Sequence, residues 1–337
     1  MSTDLQGKVF IVTGANTGIG RAAAQEMAGR GAHLFLACRS EARTAPVVEE
    51  IRRATGNEKV EFLPLDLADL ASVRAAAATF LSRQLPLHGL VNNAGRGGQR
   101  GLTRDGFELT FGTNHLGPFL FTLLLLGRLE QSAPSRIVNV SSSAHHRAKG
   151  IDWESLRKPA SSRAGIHEYS VSKLANVLFT RELARRLDGS GVTAYSLHPG
   201  VAATDLWREL PWGLRHLAKL FMISPEQGAR TTLHCATSPE TARESGLYYD
   251  DGKVRHPSRI AQDPALAAEL WRRSLEWTGA PSARTAGRSP RVRASVRSWV
   301  TMTEGTPRRW SNAGSSSSRR SPGRVAMARA GDVRHDA

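Results

Sequence analysis

The sequence predicts an α/β fold in which helices cover both faces of a doubly wound parallel sheet. Short apolar segments rich in valine, isoleucine and leucine alternate with longer amphipathic segments from residue 8 to about residue 250. Parallel strands are buried on both faces and therefore show such nearly continuous apolar runs. A glycine-rich turn, Gly14 to Gly20, separates the first apolar run from the first amphipathic segment. Right-handed crossovers between strands of this kind give an open, doubly wound sheet.

Each strand is predicted from an apolar run, and each helix from the longer amphipathic stretch beside it. The predicted strands are 8–13, 33–37, 60–65, 89–92, 136–140, 193–197 and 246–249. The predicted helices are 21–30, 43–55, 70–85, 112–131, 168–187 and 225–238. Because the alternation is unbroken, it favours one domain over residues 1–280.

The net charge of the chain is unevenly distributed. The 337 residues carry a formal charge of +16, and residues 281–337, with 12 arginines and 3 acidic residues, contribute +9 of it. This Arg- and Ser-rich segment lacks apolar periodicity, so we expect a disordered tail. A shifted reading frame in a GC-rich gene would give the same mixture, and that interpretation stays open. No aromatic pattern suited to stacking on bases accompanies the charge, so we expect no specific nucleic-acid partner.

Cysteine usage and apolar runs predict a cytoplasmic protein. Cys38 and Cys235 lie in apolar surroundings and offer no disulfide framework. The first strand starts almost at the N-terminus, so we expect no signal peptide. The most apolar run, residues 116–126, contains Gly117 and Pro118. It is shorter than the ~20 residues that span a bilayer, so we expect a buried helix and no transmembrane segment.

The turn Gly14-Ala15-Asn16-Thr17-Gly18-Ile19-Gly20 has the features of a dinucleotide-binding loop. Glycines allow a tight turn and a close approach of the backbone to a pyrophosphate. The helix that follows offers free N–H groups and the positive end of its dipole. The spacing G-x-x-x-G-x-G differs from the commoner G-x-G-x-x-G. Glycines that serve only the turn are the alternative interpretation.

Tyr169 and Lys173 are four residues apart in a predicted helix and therefore lie on one face. An ammonium beside a phenol favours the ionised form and lowers the phenol's pKa from ~10. Such a phenol could exchange a proton with an alcohol or a ketone near neutral pH. Since this spacing also arises by chance, the pair gains weight only from other motifs in the expected order.

Together these motifs resemble those of the short-chain dehydrogenases/reductases, whose fold is the Rossmann fold. The matching segments are Thr13 to Gly20, Asp66-Leu67, Asn92 to Gly95, Asn114, Ser141 to Ser143, Tyr169 with Lys173, and His198 to Gly200. They cover residues 5 to about 278. Segments 136–146 and 172–183 are similar to the retinol-dehydrogenase and WW-domain-oxidoreductase branch.

The resemblance implies a role for each matching residue. Tyr169 would give or take a proton, and Lys173 would hold the nicotinamide ribose. Ser142, the family's position among three serines, would orient the substrate oxygen, and Asn114 would hold a water that joins Lys173 to solvent. The expected cofactor-binding residues are Gly14, Asn16, Thr17, Gly18, Ile19, Gly20, Arg39, Asp66, Leu67, Asn93, Ala94, Gly95, Tyr169, Lys173, Pro199, Gly200, Val201 and Thr204.

The end of the second strand favours NADP(H) over NAD(H). An NAD enzyme of this fold usually carries an acid there, where this chain has Cys38 followed by Arg39. Arginine pairs well with a 2′-phosphate, although Arg39 could also merely cap the sheet edge. The family's counterpart of Asp66 reaches the adenine, but an aspartate after a strand is also a common helix cap.

Residues 206–222 are strongly apolar on one side and lie where the family keeps its substrate lid, which favours a lipophilic substrate. Core packing, a dimer contact or attachment to a membrane surface are alternatives, so monomer and homodimer both stay open. His145 and His146 lack spaced ligand partners, so no metal site is predicted. We interpret these two histidines as loop residues, with contact to the substrate as the alternative.

The sequence therefore predicts an NADP(H)-dependent oxidoreductase that interconverts a carbonyl and an alcohol on a lipophilic molecule. A carbon–carbon double-bond reductase, similar to the protochlorophyllide reductases, is the alternative enzyme. A non-catalytic dinucleotide sensor or scaffold is the alternative from another class. Such proteins commonly lose the Tyr–Lys pair, which this chain keeps at Tyr169 and Lys173.

Overall fold

A computed structural model describes residues 4–200 and 223–281 of the chain. Its sheet has the strand order β3-β2-β1-β4-β5-β6-β7-β8. The strands are β1 Val9–Thr13, β2 His33–Cys38, β3 Val60–Pro64, β4 Gly89–Asn92, β5 Ser135–Val140, β6 Val192–His198, β7 Leu247–Asp250 and β8 Lys253–Arg255. Neighbours pair in parallel as far as β7, and β8 pairs antiparallel to β7. This is the Rossmann fold, as predicted.

Helices cover both faces of the sheet. They are α1 Gly18–Gly29, α2 Glu41–Thr55, α3 Leu70–Ser82, α4 Leu109–Phe111, α5 Gly117–Gln131, α6 Ile166–Arg186, α7 Pro225–Thr237 and α8 Pro264–Thr278. One apolar core joins the sheet to α1, α2 and α7, and the other joins it to α3, α5, α6 and α8. The chain changes direction between β1 and β4, so a crevice opens at the carboxyl ends of these two strands, where ligands bind in such folds.

Helix α8 and strand β8 are absent from the sequence prediction. Helix α8 begins at Pro264. Its N-cap is Asp263, whose carboxylate accepts hydrogen bonds from the N–H groups of Ala265 and Leu266. An Asp-Pro pair is a recognisable helix start, so this signal was present. Strand β8 has three exposed residues without apolar alternation. Only its pairing with β7 makes it a strand.

A five-residue π turn, Gly112–Leu116, joins α4 and α5. The continuous helix Leu109–Gln131 is, by length and composition alone, able to cross a membrane, but 83% of its apolar window is buried inside the fold. Such burial is typical of a core helix. Gly117 is required where this helix passes the loop after β3, because a Cβ there would lie 2.5 Å from the carbonyl oxygen of Leu67.

Several predictions lie outside the described residues. They are the cofactor contacts of Val201 and Thr204, the apolar segment 206–222 and the tail from residue 282 onward. Both cysteines are free and buried, as the apolar surroundings predicted.

Candidate active site

The glycine-rich turn packs directly against the end of β4. Gly14 has a φ of +65°, and a Cβ there would lie 2.9 Å from Ala94 Cα. At Gly20 a Cβ would lie 2.4 Å from Asn93 Nδ2. That amide donates to the carbonyl oxygen of Thr13 at 2.9 Å. Both glycines are therefore needed for close packing, and the Asn93 side chain braces the turn instead of pointing into the crevice.

The start of α1 is suited to an anion. Its N-cap residue Thr17 makes no side-chain capping bond, and the first turn contains no acidic residue. The early N–H groups of a helix have no partner within it and carry the positive end of its dipole. Asn16 and Thr17 line the crevice beside this end, so a pyrophosphate group fits here without a new arrangement of the backbone.

A cleft of about 600 Å³ extends from this turn to the ends of β2 and β3. Three arginines line it, Arg39, Arg43 and Arg96, although the sequence pointed only to Arg39. Burial lowers the pKa of Arg96, and the positive charge of Arg39 lowers it further. The buried Nε of Arg96 has no hydrogen-bond partner among the described residues. Like charges facing one cleft, with an unused donor, are arranged to receive an anion.

Asp66 also lines this cleft, together with Leu67. The carboxylate of Asp66 accepts a hydrogen bond from the N–H of Ala68 at 3.0 Å. The N-cap of α3 is Asp69, whose carboxylate accepts from Ala71 and Ser72. Asp66 is therefore not the helix cap that the sequence left open as an alternative.

Tyr169, Lys173 and Ser142 meet at the carboxyl end of β5. The side chain of Ser142 forms a hydrogen bond with the half-buried Tyr169. The Lys173 ammonium lies 5.6 Å from the centre of the Tyr169 ring. It is 3% exposed, and its Nζ donates to the carbonyl oxygen of Val140 at 3.0 Å.

The expectation that Lys173 lowers the pKa of Tyr169 is wrong for this arrangement. Burial raises the pKa of the Tyr169 phenol, and the hydrogen bond with Ser142 is the influence that lowers it. Burial also lowers the pKa of Lys173 from 10.5 to about 8. The ammonium is thus itself disfavoured by its surroundings, and the sequence pattern cannot show this because desolvation depends on tertiary packing.

The three serines after β5 have separate tasks. The hydroxyl of Ser141 is buried and donates to the carbonyl oxygen of Lys173 at 2.8 Å, which fastens the strand end to α6. Ser142 accepts from the N–H of Ala144 and faces Tyr169. Ser143 begins a 3₁₀ helix, Ser143–Arg147, and is exposed. Among the three serines, Ser142 is therefore the one placed beside the phenol.

Asn114 lies in the π turn, and nearly all hydrogen-bonding sites of its side-chain amide have partners. Oδ1 accepts from the N–H of Arg96 at 2.8 Å. The two N–H groups of Nδ2 donate to the carbonyl oxygen of Arg96 and to Ser172 Oγ, each at 2.9 Å. An amide has two donors, so a water can be held only by the remaining lone pair of Oδ1 or by a backbone carbonyl of the turn. Asn114 also fixes the loop that carries Arg96.

Comparison with known proteins identifies the family of this chain. The family model of the short chain dehydrogenases matches residues 8–213. The chain belongs to the short-chain dehydrogenase family. It is 47% identical to human retinol dehydrogenase 11 over 284 residues, which is 83% of this chain and 88% of the relative. Retinol dehydrogenase 12 of Mus musculus is 45% identical, with 82% and 88% covered.

Solved structures resemble this short-chain dehydrogenase over most of its length. A protein of Mycobacterium paratuberculosis is 34% identical, with a TM-score of 0.67 over 84% of this chain and 99% of that one. A structure from Beutenbergia cavernae, described as an NAD(P) dependent gluconate 5-dehydrogenase with bound NADP, is 26% identical. Its TM-score is 0.61, with 74% and 97% covered. This chain is therefore an oxidoreductase of carbonyl and alcohol groups that uses a nicotinamide dinucleotide.

A buried network of amides and hydroxyls supports the site of this dehydrogenase, and the sequence analysis missed most of it. Asn92 Nδ2 donates to Thr122 Oγ1 and Asn139 Oδ1, and Asn139 Nδ2 donates to Thr180 Oγ1. Asn176 Nδ2 shares the Val140 carbonyl oxygen with Lys173. The network ties β4 and β5 to α5 and α6. Its signal was an unusual number of asparagines at buried strand and helix positions.

His145 differs most from its predicted place as a loop residue. It is not in a loop but in the 3₁₀ helix after Ser142, and its side chain is fully buried. Its Nδ1 lies 2.7 Å from the carbonyl oxygen of Ser142, and its Nε2 accepts from the N–H of Ser258 at 3.0 Å. Its neighbour His146 is exposed. Within residues 4–200 and 223–281, no group of three or more His, Cys, Asp or Glu side chains is arranged to hold a metal.

Proposed function

We propose that this dehydrogenase uses NADP(H) to interconvert a carbonyl and an alcohol on a lipophilic small molecule. The observation that carries the cofactor choice is the set of three arginines around the cleft, Arg39, Arg43 and Arg96, with Cys38 where an acid would bond a ribose 2′-hydroxyl. A 2′-phosphate adds two negative charges at that place. It would relieve the repulsion between Arg39 and Arg96 and would supply acceptors for their planar donors.

The cofactor fits the residues present. The turn at Gly14 and Gly20 has no room for side chains, and the N-terminus of α1 offers its N–H groups beside it. A Cβ at Gly95 would lie 3.3 Å from Lys173 Nζ, so this glycine keeps the space beside the ammonium open. When bound, the nicotinamide supplies or accepts the hydride.

The chemistry of the protein groups follows from their places. Tyr169 gives its phenolic proton to the substrate oxygen during carbonyl reduction and takes it back during alcohol oxidation. Ser142 contacts the same oxygen from the hydroxyl that already faces the phenol, and so stabilises the developing charge. Lys173, whose Nζ is held by the Val140 carbonyl oxygen, would bind the nicotinamide ribose. Asn114 holds the loop and the helix turn that border this triad.

Support for a lipophilic substrate comes from two sources. The curated relatives at 44–47% identity include retinol dehydrogenases 11, 12 and 13, which are named for an apolar alcohol. Ile166 begins the helix that carries Tyr169 and is 50% exposed, so it presents an apolar surface one turn before the phenol. A carbon–carbon double-bond reductase and a non-catalytic sensor have no comparable support. We further propose the cytoplasm as its compartment, because both cysteines are free.

The cofactor proposal is tested by Arg39→Asp, with Arg230→Asp as the matched control. Both arginines are exposed, and the two substitutions change the charge by the same amount. Arg230, however, lies on α7 and does not line the cleft. A hydrogen bond to a charged group contributes ~1.5–3 kcal/mol, so Arg39→Asp should weaken NADPH binding about 10- to 100-fold and leave NADH binding nearly unchanged. Fluorescence titration with both cofactors measures this.

Equal losses for NADPH and NADH, or an Arg230→Asp loss as large as that of Arg39→Asp, would show that Arg39 does not read the 2′-phosphate. Turnover is followed by nicotinamide absorbance on a panel of apolar and polar aldehydes and alcohols. Turnover of polar members only would contradict the lipophilic class.

A further inference from the structure

His145 is fully buried beside the turn that carries Ser142 and contacts the backbone of that turn. Both its backbone N–H and its side-chain Nδ1 reach the carbonyl oxygen of Ser142, at 3.1 and 2.7 Å. The hydroxyl of Ser142 is in turn oriented by the N–H of Ala144 at 3.2 Å. The carbonyl oxygen and the hydroxyl of Ser142 are thus both held by residues within the next three positions.

The protonation of the imidazole follows from its two partners. A backbone N–H, that of Ser258, donates to Nε2, so Nε2 carries no proton and must accept. Nδ1 then carries the proton of the neutral ring and donates it to the Ser142 carbonyl oxygen. Burial lowers the pKa of His145 to about 4, which keeps the ring neutral at physiological pH. The ring therefore acts as a fixed bridge and not as an acid or a base.

The bridge connects two distant parts of the chain. Ser258 stands at the start of the segment between β8 and α8 and lies 113 residues after His145. The ring of Tyr248 on β7 packs edge-on against the imidazole at 4.9 Å between centres. The imidazole cannot rotate, because Tyr248 packs against one side of it and Ser258 donates a hydrogen bond to the other. The position of the Ser142 carbonyl is therefore set by β7 and by the segment between β8 and α8.

We infer that His145 is a positioning residue for the proposed reaction, whose donated hydrogen bond to the Ser142 carbonyl aims the Ser142 hydroxyl at Tyr169 and the substrate oxygen. The backbone at Ser142 is extended, with φ −165° and ψ 153°. Rotation of its carbonyl would swing the side chain away from the phenol. The inference rests on the proposed function, because it needs Ser142 to contact the reacting oxygen.

Two variants separate the two hydrogen bonds of the ring. In His145→Asn, the amide nitrogen can replace Nδ1 and keep the bond to the Ser142 carbonyl, while the bond from Ser258 is lost. In His145→Gln, the amide oxygen can replace Nε2 and keep the bond from Ser258, while the side-chain bond to the Ser142 carbonyl is lost and the bond from the backbone N–H remains. Each variant removes one hydrogen bond from the same buried place, so thermal melting should show similar losses of stability for both.

The kcat values of His145→Gln and His145→Asn should differ. His145→Gln should lower kcat about 10- to 100-fold, since a misplacement near 1 Å can cost ~100-fold, with the KM for cofactor unchanged. His145→Asn should keep kcat within about threefold of wild type. In a Ser142→Ala background the effect of His145→Gln on kcat should vanish, because the group it positions is gone. Equal kcat losses in the two single variants, or an undiminished His145→Gln effect in the Ser142→Ala background, would overturn it.

A second measurement does not depend on turnover. Protein labelled with ¹³C at the tyrosine Cζ has four tyrosines, and Tyr169→Phe assigns the resonance of Tyr169. Because the hydrogen bond with Ser142 lowers the pKa of Tyr169, His145→Gln should raise that pKa and His145→Asn should not. An unshifted titration in His145→Gln would overturn the inference. A wild-type protein without turnover would instead overturn the proposed function, and the titration would still decide the role of His145.

Discussion

Replacing Lys173 with methionine should abolish turnover but stabilise the fold at pH 7. The ammonium is 3% exposed, and burial lowers its pKa from 10.5 to about 8. At 1.36 kcal/mol per pKa unit, the charged form below pH 8 costs the folded state about 3 kcal/mol. Methionine has a similar length and no charge, but it loses the hydrogen bond from the ammonium to the Val140 carbonyl oxygen, which contributes ~1.5 kcal/mol, the lower end of the range for a charged donor. The net expectation is a gain of about 1.5 kcal/mol.

The sign of the pH dependence provides the sharper test. Between pH 8 and pH 10.5 the unfolded chain binds a proton at Lys173 that the folded chain has released, so the stability of the wild type rises with pH. By pH 9.5 the wild type should recover about 2 kcal/mol relative to its value at pH 7. Lys173→Met has no such group, so its advantage over the wild type should disappear at that pH.

Urea unfolding at pH 7 and pH 9.5 measures both values. The gap between the two proteins is the observable, because every other group titrates alike in both. Lys149→Met is the control, since Lys149 is exposed, and its stability should match the wild type at each pH. A Lys173→Met protein less stable than wild type at pH 7, with a gap that does not change with pH, would refute the reasoning that burial disfavours this ammonium.

Three further predictions concern the phenol, the glycine turn and the tail. Tyr169→Phe keeps the ring and removes the phenolic proton, so kcat should fall by at least ~100-fold while the Kd for the cofactor stays near that of the wild type. An active variant with an unchanged pH–rate profile would show that another group donates the proton. Gly20→Ala puts a methyl group 2.4 Å from Asn93 Nδ2. It should therefore lower the free energy of unfolding by ~1–3 kcal/mol and weaken cofactor binding. Gly150→Ala is the control and should change neither quantity, because its Cβ would lie 3.9 Å from the nearest atom. Stopping the chain at residue 280 should leave activity and Tm unchanged. It should remove most of the binding to polyanions, because residues 281–337 hold +9 of the net charge. Loss of turnover on truncation would show that the catalytic domain extends beyond residue 280.

Most of the fold could be predicted from local patterns. Every predicted strand and helix between residues 8 and 250 is present, and most ends lie within about three residues of the predicted ones. Apolar runs and turn residues are local signals, so periodicity alone locates them. Helix α8 was missed despite its Asp263-Pro264 start, because its apolar residues follow after the alternation of strands and helices has ended.

For the candidate site, the sequence predicted which residues meet but not how burial shifts the pKa of Tyr169. Motifs spaced along the chain predicted which residues meet, and the structure brings Ser142, Tyr169 and Lys173 together at one strand end. The pKa of Tyr169 is raised where the sequence argument expected it to be lowered, because desolvation depends on what packs around a group and not on its neighbours in the helix.

The sequence by itself determined the order of strands and helices along the chain, the glycine turn, and the placing of Tyr169 and Lys173 on one helix face, because each depends on residues within a few positions of one another. The tertiary structure decided what distant residues do to each other. It brought Arg96 to face Arg39 across a cleft and gave His145 its partner Ser258, 113 residues away. It also buried Lys173 against the Val140 carbonyl. Contacts across such separations depend on how the helices pack on the sheet, and no local pattern records them.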